Sequence, residues 1–427
     1  MKKILLSAAA FAVVAVSAIA VAPTTSEAVP AFARQTGAAC LSCHFQTFPA
    51  INSFGRAFKM GSFTDVGDQA LIEDEHLSIP AVLNATFVLR AQVYNTSISG
   101  TPNGSGTEYN IPADAVLMLA GRVGTNSGAF VEFDGTAANW QLINSFDVGD
   151  FKVGIGAHNT GFGGSGVLEL SNVFGQHGGK LAGKTISAIQ AAGFANQTTG
   201  IGAWVGSDLG YIQFSLVAPA GATATGVNVG LNFGKLVRAV ATLDVGGFDT
   251  LIGVGFVTGT AGKLNAGDGL GGPATAAGAR IPMNLQFVDV QLQGDLGDMS
   301  LGVYADWAHA KGKQAPGLVG TANFYGSGLA PNTIGNKFDA FSIRADLKPI
   351  DRFIVGIGYG YQKLTQNIAL VAGDITVKTV HVGVTYEIYQ NMELNFTYDS
   401  ARTNAGTALA PVTFTTRTTF AEVEALM

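Results

Sequence analysis

The stretch Leu83-Asn84-Ala85-Thr86-Phe87-Val88-Leu89-Arg90-Ala91-Gln92-Val93-Tyr94 decides the fold. Every second residue from Leu83 to Val93 is apolar, and mostly polar residues stand between them. This alternation spans twelve residues, more than the roughly five or six of a usual soluble strand. It matches a membrane-spanning strand of roughly ten residues, which is apolar outside and polar inside.

The same alternation recurs in the chain after residue 80. Further segments of this kind are 151–158, 227–233, 301–308, 341–347, 353–361 and 392–399. A soluble sandwich also buries one face of each strand, so alternation alone does not separate it from a barrel. The number of candidate strands, about sixteen, favours a mainly β fold that is a transmembrane antiparallel β-barrel.

Turn chemistry predicts the connections between these strands. Gly246-Gly247 and residues 295–298 have the composition of tight turns. Long loops are predicted at residues 97–112, 160–199, 259–280, 312–336 and 401–411. Ile186–Phe194 is predicted to form a short helix folded into the lumen. Gly161–Gly166 matches G-x-G-x-x-G, but without a βαβ unit it does not predict nucleotide binding.

The N-terminus has the pattern of a secretory signal. Lys2 and Lys3 precede an apolar run, and Ser26-Glu27-Ala28 fits a small-residue cleavage site. We therefore expect residues 1–28 to be a signal peptide. The expected domains are then residues 29–79, a small helical segment, and residues 80–427, the barrel.

Composition narrows the functional class. Only 13% of residues are charged against 47% hydrophobic, and a soluble domain has about 25% charged residues. Without residues 1–28 the chain has 22 basic and 29 acidic side chains, a net charge of −7. This balance excludes a generic nucleic-acid binder and favours cationic partners. The low charge indicates contact with outer-membrane lipid.

The segment Cys40-Leu41-Ser42-Cys43-His44 is a C-x-x-C-H motif, the attachment site of c-type haem. Cys40 and Cys43 would bind the two vinyl groups, and His44 would be an axial ligand of the iron. The motif uses both cysteines of the chain, so a disulfide or zinc site elsewhere lacks thiols. A thiol redox pair is the alternative, but the βαβ context of thioredoxin is missing. One covalent haem c is expected.

Few residues are available to cover a haem between Val29 and Ile79. Asn52 or Ser53 is expected to cap a short helix that runs to Lys59. Candidates for packing on the haem or neutralising its propionates are Phe32, Arg34, Phe48, Phe54, Arg56 and Lys59. Such a small segment needs shelter. We expect it to dock in or at the periplasmic mouth of the barrel, on the periplasmic side or in the lumen.

The distal haem ligand remains open from the sequence. Met60 and His76 are the nearest thioether and imidazole after His44. A barrel residue such as Met118, His158 or His309 is an alternative, as is an open coordination position. A methionine ligand would raise the reduction potential relative to histidine.

Residues 31–59 resemble the fused outer-membrane cytochrome–porins of iron-oxidising bacteria. The resemblance rests on Ala31–Gly37, on the haem motif, and on Phe48-Pro49-x-x-Asn52-x-Phe54-Gly55-Arg56-x-Phe58-Lys59. It implies a monohaem cytochrome segment before a barrel of about sixteen strands. Cys40, Cys43 and His44 carry over as haem residues. The chain ends in Leu426-Met427, where such barrels often end in Phe.

The resemblance implies an Fe(II):cytochrome c oxidoreductase in the outer membrane of a Gram-negative bacterium. Fe(II) would be the electron donor and a periplasmic cytochrome c the acceptor. Carboxylates suit such a cation, and the lumen candidates are Glu132, Asp134, Asp289 and Asp306. Three alternatives stay open: an outward electron conduit to an extracellular metal, a solute porin with a haem-bearing plug, and a soluble periplasmic cytochrome.

Overall fold

The fold comes from a computed structural model. It describes residues 30–100, 105–133, 135, 138–159, 166–173, 187–193, 198–219, 233–262, 280–314, 321–322, 325, 337–366, 373–407 and 410–427. The predicted signal peptide lies outside the described residues, as do Asp134 and most of the predicted strand 227–233.

The N-terminal part contains short helices and one small hairpin. Its elements are α1 (Pro30–Thr36), α2 (Cys40–Cys43), α3 (Ser53–Met60), β1 (Leu71–Glu73) and β2 (Ser78–Pro80). We name residues 30–80 the plug, because their side chains and backbone bond to the inner wall of the barrel near one end. Gln46 Nε2 donates to the carbonyl oxygens of Ser300 (2.8 Å) and Asp346 (3.0 Å).

The remaining elements are mostly long strands. In chain order they are β3 (Ala85–Ser99), β4 (Gly106–Gly124), β5 (Ser127–Phe133), β6 (Ala138–Val148), β7 (Phe151–Asn159), α4 (Ala188–Ala191), β8 (Thr198–Ser207), β9 (Gly210–Pro219), β10 (Gly234–Val245), β11 (Phe248–Thr258), β12 (Thr260–Gly262), β13 (Arg280–Pro282), β14 (Leu285–Leu296), β15 (Met299–Lys311), β16 (Lys313–Gln314), β17 (Thr321–Ala322), β18 (Lys337–Ile350), β19 (Phe353–Gln366), β20 (Gly373–Tyr389), β21 (Met392–Thr407) and β22 (Ala410–Leu426).

Sixteen of these strands form one closed antiparallel barrel, which confirms the strand number expected from the sequence. The pairs β12–β13 and β16–β17 are separate two-stranded sheets. The barrel closes where β22 pairs with β3, with Leu426 opposite Val88. Closure gives every edge strand a partner, which a sheet in lipid requires.

Side chains alternate across the barrel wall as the sequence predicts. On β7, Phe151, Val153 and Ile155 are exposed on the outer face, whereas Gly154 and His158 are buried inside. The same exposure of large apolar residues continues on β9, β11 and β19. The outer face is therefore an apolar surface suited to lipid, and its closed form suggests the outer membrane.

Seven two-residue turns lie at one end of the barrel, and the plug occupies the same end, whereas the connection of Thr407 to Ala410 between β21 and β22 lies at the other end. Gly246 and Gly247 join β10 to β11 with φ of +66° and +85°. A tight hairpin turn requires such positive φ values, which residues other than glycine rarely adopt. The turn at residues 297–298, between β14 and β15, is also confirmed. We call this the short-turn end and the opposite one the long-loop end.

Two predicted loops are wrong. Residues 97–112 and 401–411 are largely the ends of β3, β4, β21 and β22. Ser, Thr and Asn are frequent there, as where Ser99 lies opposite Thr415. Apolar residues such as Tyr109 and Ile111 are few, so the sequence of these strand ends is typical of a loop. The predicted lumen helix is confirmed as α4, a single turn with Ile189 fully buried.

Candidate functional site

The haem motif forms a single helical turn. Cys40 and Cys43 begin and end α2, and the backbone N–H of His44 donates to the Cys40 carbonyl (2.9 Å). Neither sulfur is in a disulfide. Residues three apart share one helix face with Cβ atoms about 5–6 Å apart. Two thiols on one face, followed directly by an imidazole, fit the attachment of a haem through its two vinyl groups.

The electrostatics of Cys43 do not suit a thiol redox pair. Burial raises the pKa of Cys43 to about 11, and the charges of Cys40 and Asp65 act in the same direction. Reactive cysteines of redox enzymes have a lowered pKa, because the thiolate is the nucleophile. The environment of α2 therefore argues against a reactive disulfide pair.

The second plug helix fixes the position of the motif. Asn52 caps α3, as predicted: its Oδ1 accepts from Gly55 N (3.0 Å), and its Nδ2 donates to Ser42 O (3.0 Å). One side chain thus joins the start of α3 to the end of α2. Gly55 packs so closely on the Cys43 carbonyl that a Cβ would collide with it.

The imidazole of His44 is positioned by Phe48. Their ring centroids are 5.5 Å apart with planes at 72°, an edge-to-face contact. Phe48 packs in turn against Val88, Val116 and Leu426 of the barrel wall, which we name the β3–β4–β22 cluster. The predicted axial ligand is therefore oriented by a ring that the barrel itself holds.

Hydrogen bonds fasten the plug to the wall on several sides. The hydroxyl of Thr47 donates to the Glu393 carboxylate. Lys348 Nζ donates to the Gln46 carbonyl (3.1 Å). The backbone of Ile51 and the side chain of Asn172 bond reciprocally, N to Oδ1 at 2.8 Å and Nδ2 to O at 2.9 Å. These bonds place residues 45–52 within the barrel.

Aromatic side chains occupy one side of the plug. Phe32 stacks on Phe63 with centroids 4.8 Å apart and meets Phe58 edge-on at 5.2 Å. Phe130 on β5 joins them at 6.0 Å from Phe32. Phe54, by contrast, is 49% exposed. Phe32 and Phe48 are thus already packed on protein, and Phe54 is the predicted haem-packing ring with an open face.

The three basic candidates have different surroundings. Arg34 Nη1 donates to the Ala85 carbonyl (2.5 Å). Arg56 is buried and pairs with Asp249 through Nη2, while its Nη1 has no hydrogen-bond partner among the described residues. Burial lowers the pKa of Lys59 to about 8, against the opposing charge of Glu169. A role with propionates remains a prediction for each.

The two nearest distal candidates are turned elsewhere. Met60 lies five positions after Gly55, about 140° around α3 from the face that contacts α2. It is buried among the residues around Trp204 and Tyr211, against Gly206 of β8. His76 is in the turn between β1 and β2, and its side chain is 86% exposed. The structure does not bring either side chain to His44.

The lumen carboxylates proposed as Fe(II) contacts already have protein partners. Asp289 accepts two hydrogen bonds from Arg238, at 2.6 and 3.0 Å. Asp306 accepts from Ile189 N of α4 (2.8 Å) and from Ser342. Glu132 is buried on β5 beside Asn139. Contact with Fe(II) remains a prediction for all of these residues, including Asp134.

A buried ionic cluster in the lumen was not predicted from the sequence. Arg238 on β10 is fully buried and lies between Asp289 and Glu169, whose Oε2 is 3.1 Å from Arg238 Nε. Glu169 also accepts from Tyr211 Oη (3.1 Å), and Ser171 Oγ donates to Asp289 (3.0 Å). These bonds hold residues 166–173 against the wall beside the plug.

A cavity of about 330 Å³ opens at the short-turn end between α3, the β6–β7 and β8–β9 turns, and the strands β10 and β11. Ser53, Arg56, Ala57 and Met60 line it from the plug. Exposed aspartates surround this end of the barrel. They are Asp147, Asp150, Asp208, Asp244, Asp295, Asp298 and Asp351.

The described part of the chain holds no group of three or more His, Cys, Asp or Glu side chains arranged to bind a metal ion. Within the same ranges, no helix is long and apolar enough to cross a membrane.

Comparison with known proteins gives likenesses at the level of structure only. No family model matches the sequence, and no curated protein matches it. Outer-membrane OmpT of Vibrio cholerae is 12% identical over 84% of this chain and 100% of its own, with a TM-score of 0.47. OpdQ of Pseudomonas aeruginosa is 11% identical over 80% and 97%, with a TM-score of 0.44.

A BenF-like porin of Pseudomonas fluorescens Pf-5 is 11% identical over 80% of this chain and 98% of its own, with a TM-score of 0.42. The class of the protein follows from its own topology: a closed sixteen-stranded antiparallel barrel like those of outer-membrane porins, with a helical segment in one mouth.

Proposed function

We propose that the protein is an outer-membrane electron-transfer protein that oxidises extracellular Fe(II) and passes electrons through one covalent haem c to periplasmic carriers. A single observation carries the proposal. The turn Cys40–Cys43, with His44 after it, is packed inside the end of a closed barrel whose outer face is apolar. A redox motif in that position lies inside a wall whose outer face suits lipid.

The residues of this chain have separate tasks in the proposal. Cys40 and Cys43 would hold the porphyrin, and His44 would ligate its iron in the orientation that Phe48 sets. A bound haem would supply a one-electron redox centre between donor and acceptor. Fe²⁺ would lose one electron and leave as Fe³⁺, and an oxidised periplasmic cytochrome would gain that electron. The barrel wall would separate the plug from lipid.

The direction of the barrel follows from the lengths of its connections. Outer-membrane barrels have short turns on the periplasmic side and longer loops outside. The plug lies at the short-turn end, so we propose that the haem faces the periplasm. The apolar band of such a barrel is about 25 Å tall. In the proposal, Fe(II) therefore approaches through the lumen from the long-loop end.

The charge of the short-turn end favours a basic acceptor. Asp150 and Asp208 are exposed in turns that line the cavity at the short-turn end. Asp244 and Asp298 are exposed at neighbouring turns. Complementary charge speeds the encounter of two proteins and orients them. We therefore propose a cationic periplasmic cytochrome c as the partner.

A second candidate function is a solute porin that carries the haem segment as a plug. The observation in its favour is the polar inner face of the wall, where Gln213, Gln291 and Thr385 point into the lumen. Porins have polar interiors of this kind. The contacts of the plug and of residues 166–173 with that face argue against an open channel at the short-turn end.

The test is anaerobic addition of Fe(II) to the oxidised, full-length protein in detergent, followed at the haem α-band. Rapid stoichiometric reduction of the wild type, absent in His44→Ala, supports iron oxidation. Dithionite must reduce both proteins, as a control for haem content. No reduction by Fe(II) overturns the oxidase. Solute conductance in planar bilayers would then support the porin, and a low haem potential would support the outward conduit.

A further inference from the structure

We infer that Met118, a residue of the barrel wall, is the distal ligand of the haem that His44 binds. This inference rests on the proposed function, because it requires a haem on Cys40 and Cys43. Met118 lies on β4, where its neighbour Leu117 is 43% exposed on the outer face. Strand alternation therefore points Met118 into the lumen.

Met118 and the His44 side of the plug meet the same part of the wall. Met118 packs against Val88, Val116 and Leu426, the β3–β4–β22 cluster. Phe48 packs against the same three residues, and its ring is 5.5 Å from the imidazole of His44. The thioether of Met118 is thus on the wall that holds the axial imidazole in place.

The other methionines of the described chain are directed away from that position. Met60 packs on Gly206 of β8, four strands from β4 in the strand order. Met283 is buried at the long-loop end beside Gly234. Met299 lies opposite Leu296, which is exposed on the outer face, and Met427 at the chain end is 55% exposed. Met392 lies opposite Ala425, the outward neighbour of Leu426.

The described histidines leave one competitor. His309 pairs with Asp339 (2.7 Å) and stacks on the outward ring of Trp307. His381 shares a hydrogen bond with Asp399 through Nδ1, and strand pairing through β21 and β22 sets it level with Thr96, eight residues along β3 from Val88. His76 is exposed. His158 is buried inside the wall, 3.2 Å from Thr198 Oγ1, but it belongs to β7 and not to the β3–β4–β22 cluster.

A ligand from the wall accounts for the small size of the plug. Residues 30–80 are too few to cover a haem on both faces. If the barrel supplies the distal ligand, the plug needs only the attachment turn and the proximal imidazole. A thioether raises the reduction potential relative to an imidazole, which suits a centre that takes electrons from Fe(II).

The experiment uses full-length protein with its haem, purified in detergent. Covalent attachment is first verified by the mass of the polypeptide. The Met118→Leu variant keeps the apolar packing. In this variant the sulfur-to-iron charge-transfer band of the ferric haem should disappear from the absorption spectrum. A high-spin signal should appear in electron paramagnetic resonance. In Met118→His, the haem should stay low-spin with a lowered midpoint potential. Met60→Leu, the matched control, should leave spectrum and potential unchanged.

Several outcomes overturn the inference. An unchanged ferric spectrum in Met118→Leu with haem attached removes Met118 as ligand. Loss of the low-spin state in His158→Gln also removes Met118 as ligand. Loss of the sulfur-to-iron charge-transfer band in Met60→Leu does the same. A wild type without covalent haem overturns this inference and the proposed function together. A wild type that shows the Met118-dependent spectrum but is not reduced by Fe(II) overturns only the iron oxidase.

Discussion

The imidazole of His44 meets the ring of Phe48 edge-on, 5.5 Å between centroids, and Phe48 also packs against the β3–β4–β22 cluster of the barrel wall. The orientation of the His44 imidazole therefore depends on the barrel and not on the plug alone. Removing this ring should separate two effects, namely the packing of the plug and the properties of the iron.

We expect Phe48→Ala to destabilise the folded barrel by about 2 kcal/mol, because a half-buried aromatic ring leaves a cavity against Val88 and Leu426. The haem should also become heterogeneous in its ferric spectrum. Urea unfolding in lipid vesicles and absorption spectroscopy measure the two effects. Phe54→Ala is the control, since a ring that is 49% exposed should change stability by less than about 0.5 kcal/mol.

The buried ionic cluster predicts a larger loss. Arg238→Met would leave the carboxylates of Glu169 and Asp289 buried without their cation, which costs about 3–5 kcal/mol. Lys363→Met is the control, because Lys363 pairs with Asp374 at an exposed position where ion pairs contribute little. Equal urea midpoints for the two variants would show that the cluster does not stabilise the barrel.

Sequence alternation was sufficient for the barrel but not for its contents. The outward direction of Phe151, Val153 and Ile155 can be predicted from the local sequence, because every second side chain of a strand points to the same side. The cap at Asn52 was also predictable, since a capping side chain and its helix are neighbours in the sequence.

The pairing of Arg238 with Asp289 was not predictable in this way. The two residues are 51 positions apart on strands that meet through β11. The contact of Arg238 with Glu169 depends on how residues 166–173 fold back into the lumen. The sequence of that segment has no alternation or helical spacing from which this path could be predicted. The position of Met60 was likewise fixed by packing on Gly206, and sequence proximity to His44 gave no information about direction.

Close packing between α2 and α3 predicts the effect of Gly55→Ala. The new Cβ would collide with the Cys43 carbonyl, so the two helices must separate. We expect a destabilisation of about 1–3 kcal/mol and a lower haem content per polypeptide. Mass spectrometry of the attached haem measures the second quantity. Gly106→Ala, where a Cβ meets no atom within 4 Å, should keep the haem content of the wild type.

The acidic turns predict a salt-dependent partner reaction. Asp150→Asn and Asp208→Asn together should slow electron transfer to a basic cytochrome c at low ionic strength, and the difference should shrink at high salt because exposed charges are screened. Stopped-flow mixing measures the second-order rate. Glu108→Gln, exposed on β4 toward the long-loop end, is the control. Equal slowing by the control variant would exclude the short-turn end as the docking face.

The raised pKa of Cys43 predicts slow alkylation of its thiol in the haem-free protein. Burial raises its pKa to about 11, and the thiolate is the reactive form, so its alkylation should rise with pH well beyond the range of an ordinary thiol of pKa about 8.5. The Cys40→Ser variant leaves Cys43 as the single thiol and removes one smaller cause of the shift. The control is a Cys40→Ser/Cys43→Ser protein that carries Ser53→Cys, a single thiol at an exposed position. At pH 8.5, the Cys40→Ser variant should react with iodoacetamide at least about tenfold more slowly than this control. Equal rates would mean that Cys43 is not buried before haem attachment, and that the turn at α2 forms its shelter only once the haem is bound.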